Sequence, residues 1–273
     1  MEKIWLPHYP AGVPHEVDVA AYASIFDVFT QSCTRYRERP AFASLGTRMT
    51  YGELDRLSRD FAAYLQTHCG LVKGERLAIM LPNVLQYPVA LFGAFRAGLI
   101  VVNCNPLYTP RELAHQLKDS GARALVVLEN FAHTAQQALG QTAVETVITT
   151  GLGDLFPPLK RLATNLAIKY IKKMVPDWHI PDAVYFRRVL SEGRQMALAP
   201  VPLSASDLAF LQYTGGTTGV PKGAMLSHGN MVANLQQISA WIGPKFEEGV
   251  EVVVTPLPLY HVFALTANLL TFF

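Results

Sequence analysis

The stretch RLAIMLPNVLQYPVALFGAFRAGLIVVN, Arg76 to Asn103, decides the fold class. Its opening, RLAIMLP from Arg76 to Pro82, is a short apolar run closed by proline and reads as a buried strand. A helix from about Val84 to Ala97 follows, and LIVVN, from Leu99, reads as the next strand. Strand, helix and strand in this order make a crossover unit of a parallel sheet.

The same alternation continues in both directions. Upstream, Thr50 followed by Glu53 forms a capping box that opens a helix near Tyr51 to His68, and Gly70 fits its end. Downstream, Thr109, Pro110 and Glu112 supply a cap, a proline at the first helical position and a glutamate at the third. ARALVVL, Ala122 to Leu128, and ETVITT, Glu145 to Thr150, are two further strands. The pattern predicts an α/β fold with a largely parallel sheet. Residues 151–206 are rich in proline and charge, and they divide a first α/β subdomain, 1–150, from the start of a next one, 207–273. There is no internal repeat.

Composition narrows the classes. Half of the 273 residues are hydrophobic and 16% are charged, which is globular. Twenty-three basic and 21 acidic residues leave a formal charge of +2, so nothing points to nucleic acid as a partner. Cys33, Cys69 and Cys104 are odd in number and far apart, which fits neither a disulfide framework nor a zinc site and suits a reduced, cytosolic setting. MEKIWLPHYPAGVPHE at the start lacks the apolar core of a secretory signal. The best candidate for a membrane span, Pro88 to Val102, is interrupted by Arg96, itself a snorkelling or interface residue. Phe273 ends the chain inside the apolar run VFALTANLLTFF, so the sequence is expected to be a piece of a longer protein.

The most informative segment for chemistry is LAFLQYTGGTTGVPKGAMLSH, Leu208 to His228. LAFLQY and GAMLSH read as strands. Between them lie three glycines, three threonines, a proline and a lysine. Glycine permits positive φ and lets backbone amides converge on an anion. Thr214, Thr217 and Thr218 offer hydroxyls, and Lys222 offers a cation whose hydrogen bond to phosphate is worth roughly 1.5–3 kcal/mol. The spacing GxxxxGK[ST] is absent, and a strand rather than a helix follows. Hydroxyls and Lys222 must then carry more of a phosphate's charge than a helix dipole would leave them. A solvated hairpin turn would explain the glycines and proline, but not three threonines and a lysine together.

TGGTTGVPK, Thr214 to Lys222, matches the AMP-binding signature shared by acyl-CoA synthetases, adenylation domains and luciferases. Its flanks resemble bacterial long-chain-fatty-acid–CoA ligases: Tyr213, GAMLSHGNM, the segment from Leu81 to Leu113, and PLPLYHVFAL from Pro256 to Leu265. The resemblance implies that 1–273 is a partial N-terminal AMP-binding domain of layered βαβ subdomains. It also implies a two-step reaction. A fatty-acid carboxylate attacks the α-phosphorus of ATP, and the thiol of coenzyme A then displaces AMP. Under it, Tyr213, Thr214, Gly215, Gly216, Thr217, Thr218, Gly219, Val220, Pro221, Lys222, Gly223 and Ala224 form the phosphate-binding loop. Lys222, Thr214 and His261 stand in catalytic positions, and Thr214 is a magnesium contact that needs an acidic partner from a later segment. No protein nucleophile is required. His261 is open to two readings: a group near the carboxylate and α-phosphate, or a core histidine capping the following helix. Tyr260 and Phe263 read as packing or acyl-tunnel wall, and Asn103 and Asn105 as turn residues.

LKRLATNLAIKYIKKM, Leu159 to Met174, is a basic amphipathic helix stopped by Pro176. Leu159, Leu162, Ala163, Leu166, Ala167, Tyr170, Ile171 and Met174 share one face; Lys160, Arg161, Lys169, Lys172 and Lys173 take the other. It reads either as a helix lying on an anionic membrane surface, or as a packed helix with its lysines in water. The first reading implies a cytoplasmic protein held peripherally at the inner face of the membrane. Rival readings of the whole are an adenylate-forming ligase for an aryl, medium-chain or amino acid, and a non-catalytic nucleotide- or lipid-binding module. The adenine- and ribose-binding motifs and the C-terminal catalytic lysine expected of the family are missing, so the chain alone is expected to be inactive.

Overall fold

The structure is a computed structural model that describes residues 3–214 and 221–273. A small antiparallel pair, β1 (Pro40–Ser44) and β2 (Thr47–Thr50), precedes the main sheet. The main sheet holds β3 (Arg76–Met80), β4 (Ile100–Asn103), β5 (Ala124–Leu128), β6 (Thr146–Thr150), β7 (Val184–Tyr185), β8 (Leu208–Thr214) and β9 (Lys222–Ser227). The spatial order is β7-β6-β5-β3-β4-β8-β9. All neighbours run parallel except β8 and β9. The order of β3 to β7 is that of a doubly wound sheet, in which the chain steps to one side and then reverses.

Two packed layers cover the sheet. One face meets α1 (Ile25–Arg35), α2 (Tyr51–Thr67) and α3 (Gln86–Arg96); the other meets α4 (Pro110–Ser120) and α5 (Ala132–Ala138). Alternate strand residues serve the two cores: Leu77 and Ile79 face one, Ala78 and Met80 the other. Strands buried on both faces need continuous apolar runs, which is why RLAIM and ALVVL show no polar alternation. The helix starts are local chemistry. Thr50 and Glu53 close one capping box, and Thr109 and Glu112, with Pro110 at the first helical position, make another. Arg96 is an interface residue, paired with Asp55 and lying 5.1 Å over the Phe26 ring.

The sheet crosses the boundaries drawn at 150 and 206. β8 pairs with β4, and β7, from the connecting segment, pairs with β6. α7 (Phe186–Gly193) packs on α2, with the Phe186 and Phe61 rings 5.2 Å apart. Parallel pairing joins strands distant in sequence, so a break in composition need not be a break in the sheet.

The basic helix also differs from its expected form. α6 (Pro158–Leu166) passes into a wider π turn over Ala167–Ile171, and Lys173, at φ 50°, ends it ahead of Pro176. Two of its polar side chains bond the body: Asn165 accepts from Gly153 N at 2.8 Å, and Lys160 donates to the Leu45 carbonyl. Leu159, Leu162, Tyr170 and Ile171 are left exposed.

Candidate active site

β3, β4 and β8 run parallel, so their carboxyl ends share one edge of the sheet, where ligands of such folds bind. β8 turns there into the segment bearing the signature and returns as β9. The last pair of the hairpin is Thr214 with Lys222, so the two side chains are cross-strand neighbours on one face. Both are exposed, and Lys222 has no carboxylate partner among the described residues. Gly215, Gly216, Thr217, Thr218, Gly219 and Val220 lie outside the described residues.

The next pair, Tyr213 with Gly223, points the opposite way. Tyr213 is buried against α4 and donates its hydroxyl to Asp119 at 2.5 Å. A Cβ at 223 would meet the Tyr213 ring at 3.0 Å, so any larger residue there needs the ring to give way by a few tenths of an ångström. Burial and the Asp119 carboxylate hold the phenol above its ordinary range. Tyr213 therefore shapes the hairpin from below, with its hydroxyl already committed. His115 Nε2, on α4, lies 3.2 Å from the Pro221 carbonyl and braces the return of the loop. Ala224 follows on the exposed side of β9.

Gln212 shares its face of β8 with Thr214. Its Nε2 donates to the Tyr260 carbonyl at 3.0 Å, which draws the turn before His261 over that face. Asn103, at the end of β4, donates to Gln212 Oε1 at 3.3 Å. The Tyr87 hydroxyl lies 2.9 Å from Asn103 Oδ1 and 3.0 Å from the Leu259 carbonyl. Asn83 binds the turn from its other side, accepting from Leu259 N at 2.9 Å and donating to the carbonyls of Thr255 and Leu257. Asn103 is thus a buried bonding centre, in correction of its reading as a turn residue. Asn105 does cap a turn, accepting from Leu107 N at 2.9 Å. Tyr87, Asn83 and Gln212 were not singled out from the sequence. The available signal was one amide or hydroxyl inside each apolar run, a placement that burial permits only with partners.

His261 is exposed, and its side chain caps nothing: the short helix at Val262 starts without a side-chain hydrogen bond. The ring lies 4.6 Å from that of Tyr260. Exposure and the missing side-chain cap rule out a core histidine that caps the following helix. Tyr260 is half-buried, while Phe263 is exposed.

The described residues do not by themselves make a magnesium site. Thr214 offers one hydroxyl, and no cluster of three or more His, Cys, Asp or Glu among the described residues could hold a metal. Magnesium usually needs a carboxylate beside the substrate phosphates. A cavity of about 980 Å³ lies elsewhere, between α1 and the helix His228–Ile242 (α8); Tyr213, Lys222 and His261 do not line it.

Fold and site together define an α/β protein that carries its glycine- and threonine-rich signature in a hairpin at the carboxyl edge of its sheet. Residues 29–273 match the model of the AMP-binding enzyme family, and the chain belongs to that family. It is 56% identical over 272 residues to a long-chain-fatty-acid–CoA ligase of Escherichia coli O6:H1, covering 100% of this chain and 48% of that protein. Among solved structures it resembles a long-chain-fatty-acid–CoA ligase from Archaeoglobus fulgidus, at 25% identity and TM-score 0.70, over 96% of this chain and 48% of that one. It also resembles Mycobacterium smegmatis MbtA, at 26% identity and TM-score 0.73, over 92% and 42%. The chain spans about half the length of the curated relatives it matches.

Proposed function

We propose that this chain is the ATP-gripping part of a ligase that activates long-chain fatty acids, first to acyl-AMP and then to acyl-CoA. The observation that carries the reading is the meeting of two segments on one face of the β8–β9 hairpin. Thr214 and Lys222 stand at its mouth, and the turn before His261 is tied to it by Gln212. A carboxylate oxygen forms a bond to the α-phosphorus, and pyrophosphate leaves with the electron pair of the broken P–O bond. Both reactants are anions, so the barrier falls when fixed donors meet the charge on phosphate. Lys222 supplies an ammonium, Thr214 and the loop hydroxyls and amides supply donors, and His261 faces the reacting carboxylate and α-phosphate. In the second step the sulfur of coenzyme A, as thiolate, bonds to the acyl carbon and AMP leaves.

A substrate panel scored by pyrophosphate release from a full-length ligase carrying this chain tests the reading. Palmitate or oleate should give the highest kcat/KM. A preference for an aryl, medium-chain or amino acid would move the assignment to another adenylate-forming ligase. The chain by itself is expected to have no ligase activity and weak affinity for ATP with magnesium in calorimetry; tight binding or turnover would contradict this.

The reading includes peripheral contact with an anionic membrane through Leu159 to Met174, on the cytoplasmic side. No helix among the described residues is long and apolar enough to cross a membrane. The support is that apolar side chains of α6 and of the π turn after it are turned outward, with Leu159 85% and Ile171 76% exposed. Lys160 is occupied by the Leu45 carbonyl, which leaves Arg161, Lys169, Lys172 and Lys173 for lipid headgroups. Four such groups supply about 4 kcal/mol near an anionic surface, before apolar insertion. Replacing the four with glutamine should release the protein from phosphatidylglycerol vesicles, and unchanged binding would end this part of the reading.

A further inference from the structure

The buried polar groups beneath the 255–261 turn form a closed circuit. Proton counting fixes its direction. The Tyr260 carbonyl can only accept, so Gln212 must turn its amide nitrogen toward it. Gln212 Oε1 then faces Asn103, which must donate through Nδ2. Asn103 Oδ1 is left facing Tyr87, whose single hydroxyl proton is shared between that oxygen and the Leu259 carbonyl. The path leaves the turn at Leu259 and returns to it at Tyr260, the two residues before His261. Tyr87, Asn103 and Gln212 are all buried, so none can exchange its partner for bulk water. Gln116 Nε2, from α4, holds the Asn103 carbonyl at 2.8 Å and anchors the circuit to the opposite layer.

We propose that Tyr87 is a positioning residue for the adenylation step, and that the Tyr87–Asn103–Gln212 circuit sets the distance between His261 and the Thr214–Lys222 pair. This rests on the functional reading given above. Gln212 stands two residues before Thr214 on the same strand face, so the amide that holds the turn also belongs to the strand that ends at the phosphate grip. The His261 side chain has no hydrogen bond among the described residues, and its placement therefore comes from its backbone. Apolar packing could fill the same space, but it would leave the turn free to slide along β8. A directional circuit admits one register.

The test is steady-state pyrophosphate release by a full-length ligase carrying this chain, with Tyr87→Phe, His261→Ala and the double variant. Tyr87→Phe removes one oxygen and keeps the ring, so the protein should still fold, with a thermal midpoint only a few degrees lower. Its kcat should fall about 10-fold or more with KM for ATP and fatty acid within about 2-fold, because reacting groups are misplaced while binding remains. In the His261→Ala background the same substitution should have almost no further effect on kcat. Gln212→Met, which breaks the circuit at its other end, should repeat this pattern if Tyr87→Phe proves too unstable to assay. A loss that multiplies in full with that of His261→Ala, or no loss at all, overturns the positioning role and leaves the functional reading standing. A His261→Ala enzyme with unchanged kcat overturns the role given to His261, and the positioning role with it.

Discussion

β5 and β9 belong to one sheet and are built on opposite terms. Every residue of β5, ALVVL, is buried; in β9, KGAMLS, none is. β5 has neighbours on both edges and helices on both faces, so its side chains report packing. β9 is the outermost strand, paired only with β8, and its first residue is the exposed Lys222. Under the proposed function, the contrast puts most of the packing in the centre of the sheet and the phosphate-binding side chains at its edge. Substitutions in the centre should change folding, and those at the hairpin edge should change turnover.

The largest expected effect belongs to the edge. Lys222→Ala in a full-length ligase should lower kcat/KM by about 10²–10³-fold, the loss typical when one preorganised donor is removed. Its urea midpoint should not move, because an exposed side chain away from any network is within about 0.5 kcal/mol of neutral. A large shift in midpoint would erase the contrast.

His228 lies where the two parts meet. It opens α8 directly after β9, and its buried ring packs edge-on against Phe95 of α3, 5.0 Å between centroids. Neither ring nitrogen has a partner among the described residues. Burial lowers its pKa from 6.5 to about 4, against the opposing pull of Asp207 and with a smaller push from Lys73. Above pH 6.5 the ring is neutral whether the chain is folded or not. Between pH 6.5 and 4 the unfolded chain takes up a proton that the folded chain refuses, so stability falls as pH falls, by up to about 3 kcal/mol. Urea titrations of the wild type and His228→Phe across this range should differ in slope, with the flatter curve for the variant.

Gly193→Ala tests the packed half. A methyl there would collide with the Asp60 carbonyl oxygen where α7 crosses α2. Stability should drop by about 2–3 kcal/mol, with kcat per folded molecule unchanged. Thr50→Ala, which removes the acceptor for Glu53 N at 3.1 Å, should cost about 1 kcal/mol and leave turnover unaffected.

What could be read in the sequence was what is local. Thr50, Thr109, Pro110 and the two strands around the signature each announce themselves within a few residues; the caps stand as expected, and the strands differ only at their ends, taking in Thr214 and Lys222 and giving His228 to α8. Strand order was not legible, because the pairing of β4 with β8 joins Val101 to Phe210 and depends on packing. The spacing of Leu159 to Met174 gave a helix face but not its direction; Asn165 and Lys160 turn that face outward through contacts made elsewhere in the chain. The signature marks Lys222 and Thr214, while the amides that tie the turn before His261 to β8 and to the loop before α3 are single polar letters in apolar runs. The resemblance places Tyr213 in the phosphate-binding loop, and the bond of its hydroxyl to Asp119 is not visible in the sequence.

The most direct test is a crystal structure of a full-length ligase carrying this chain, bound to a non-hydrolysable acyl-adenylate analogue or to ATP. The phosphates should lie at the mouth of the β8–β9 hairpin, within hydrogen-bonding distance of Lys222 Nζ and on the face that carries His261. Nucleotide bound at another part of the sheet, with the hairpin mouth free of phosphate, would contradict the assignment.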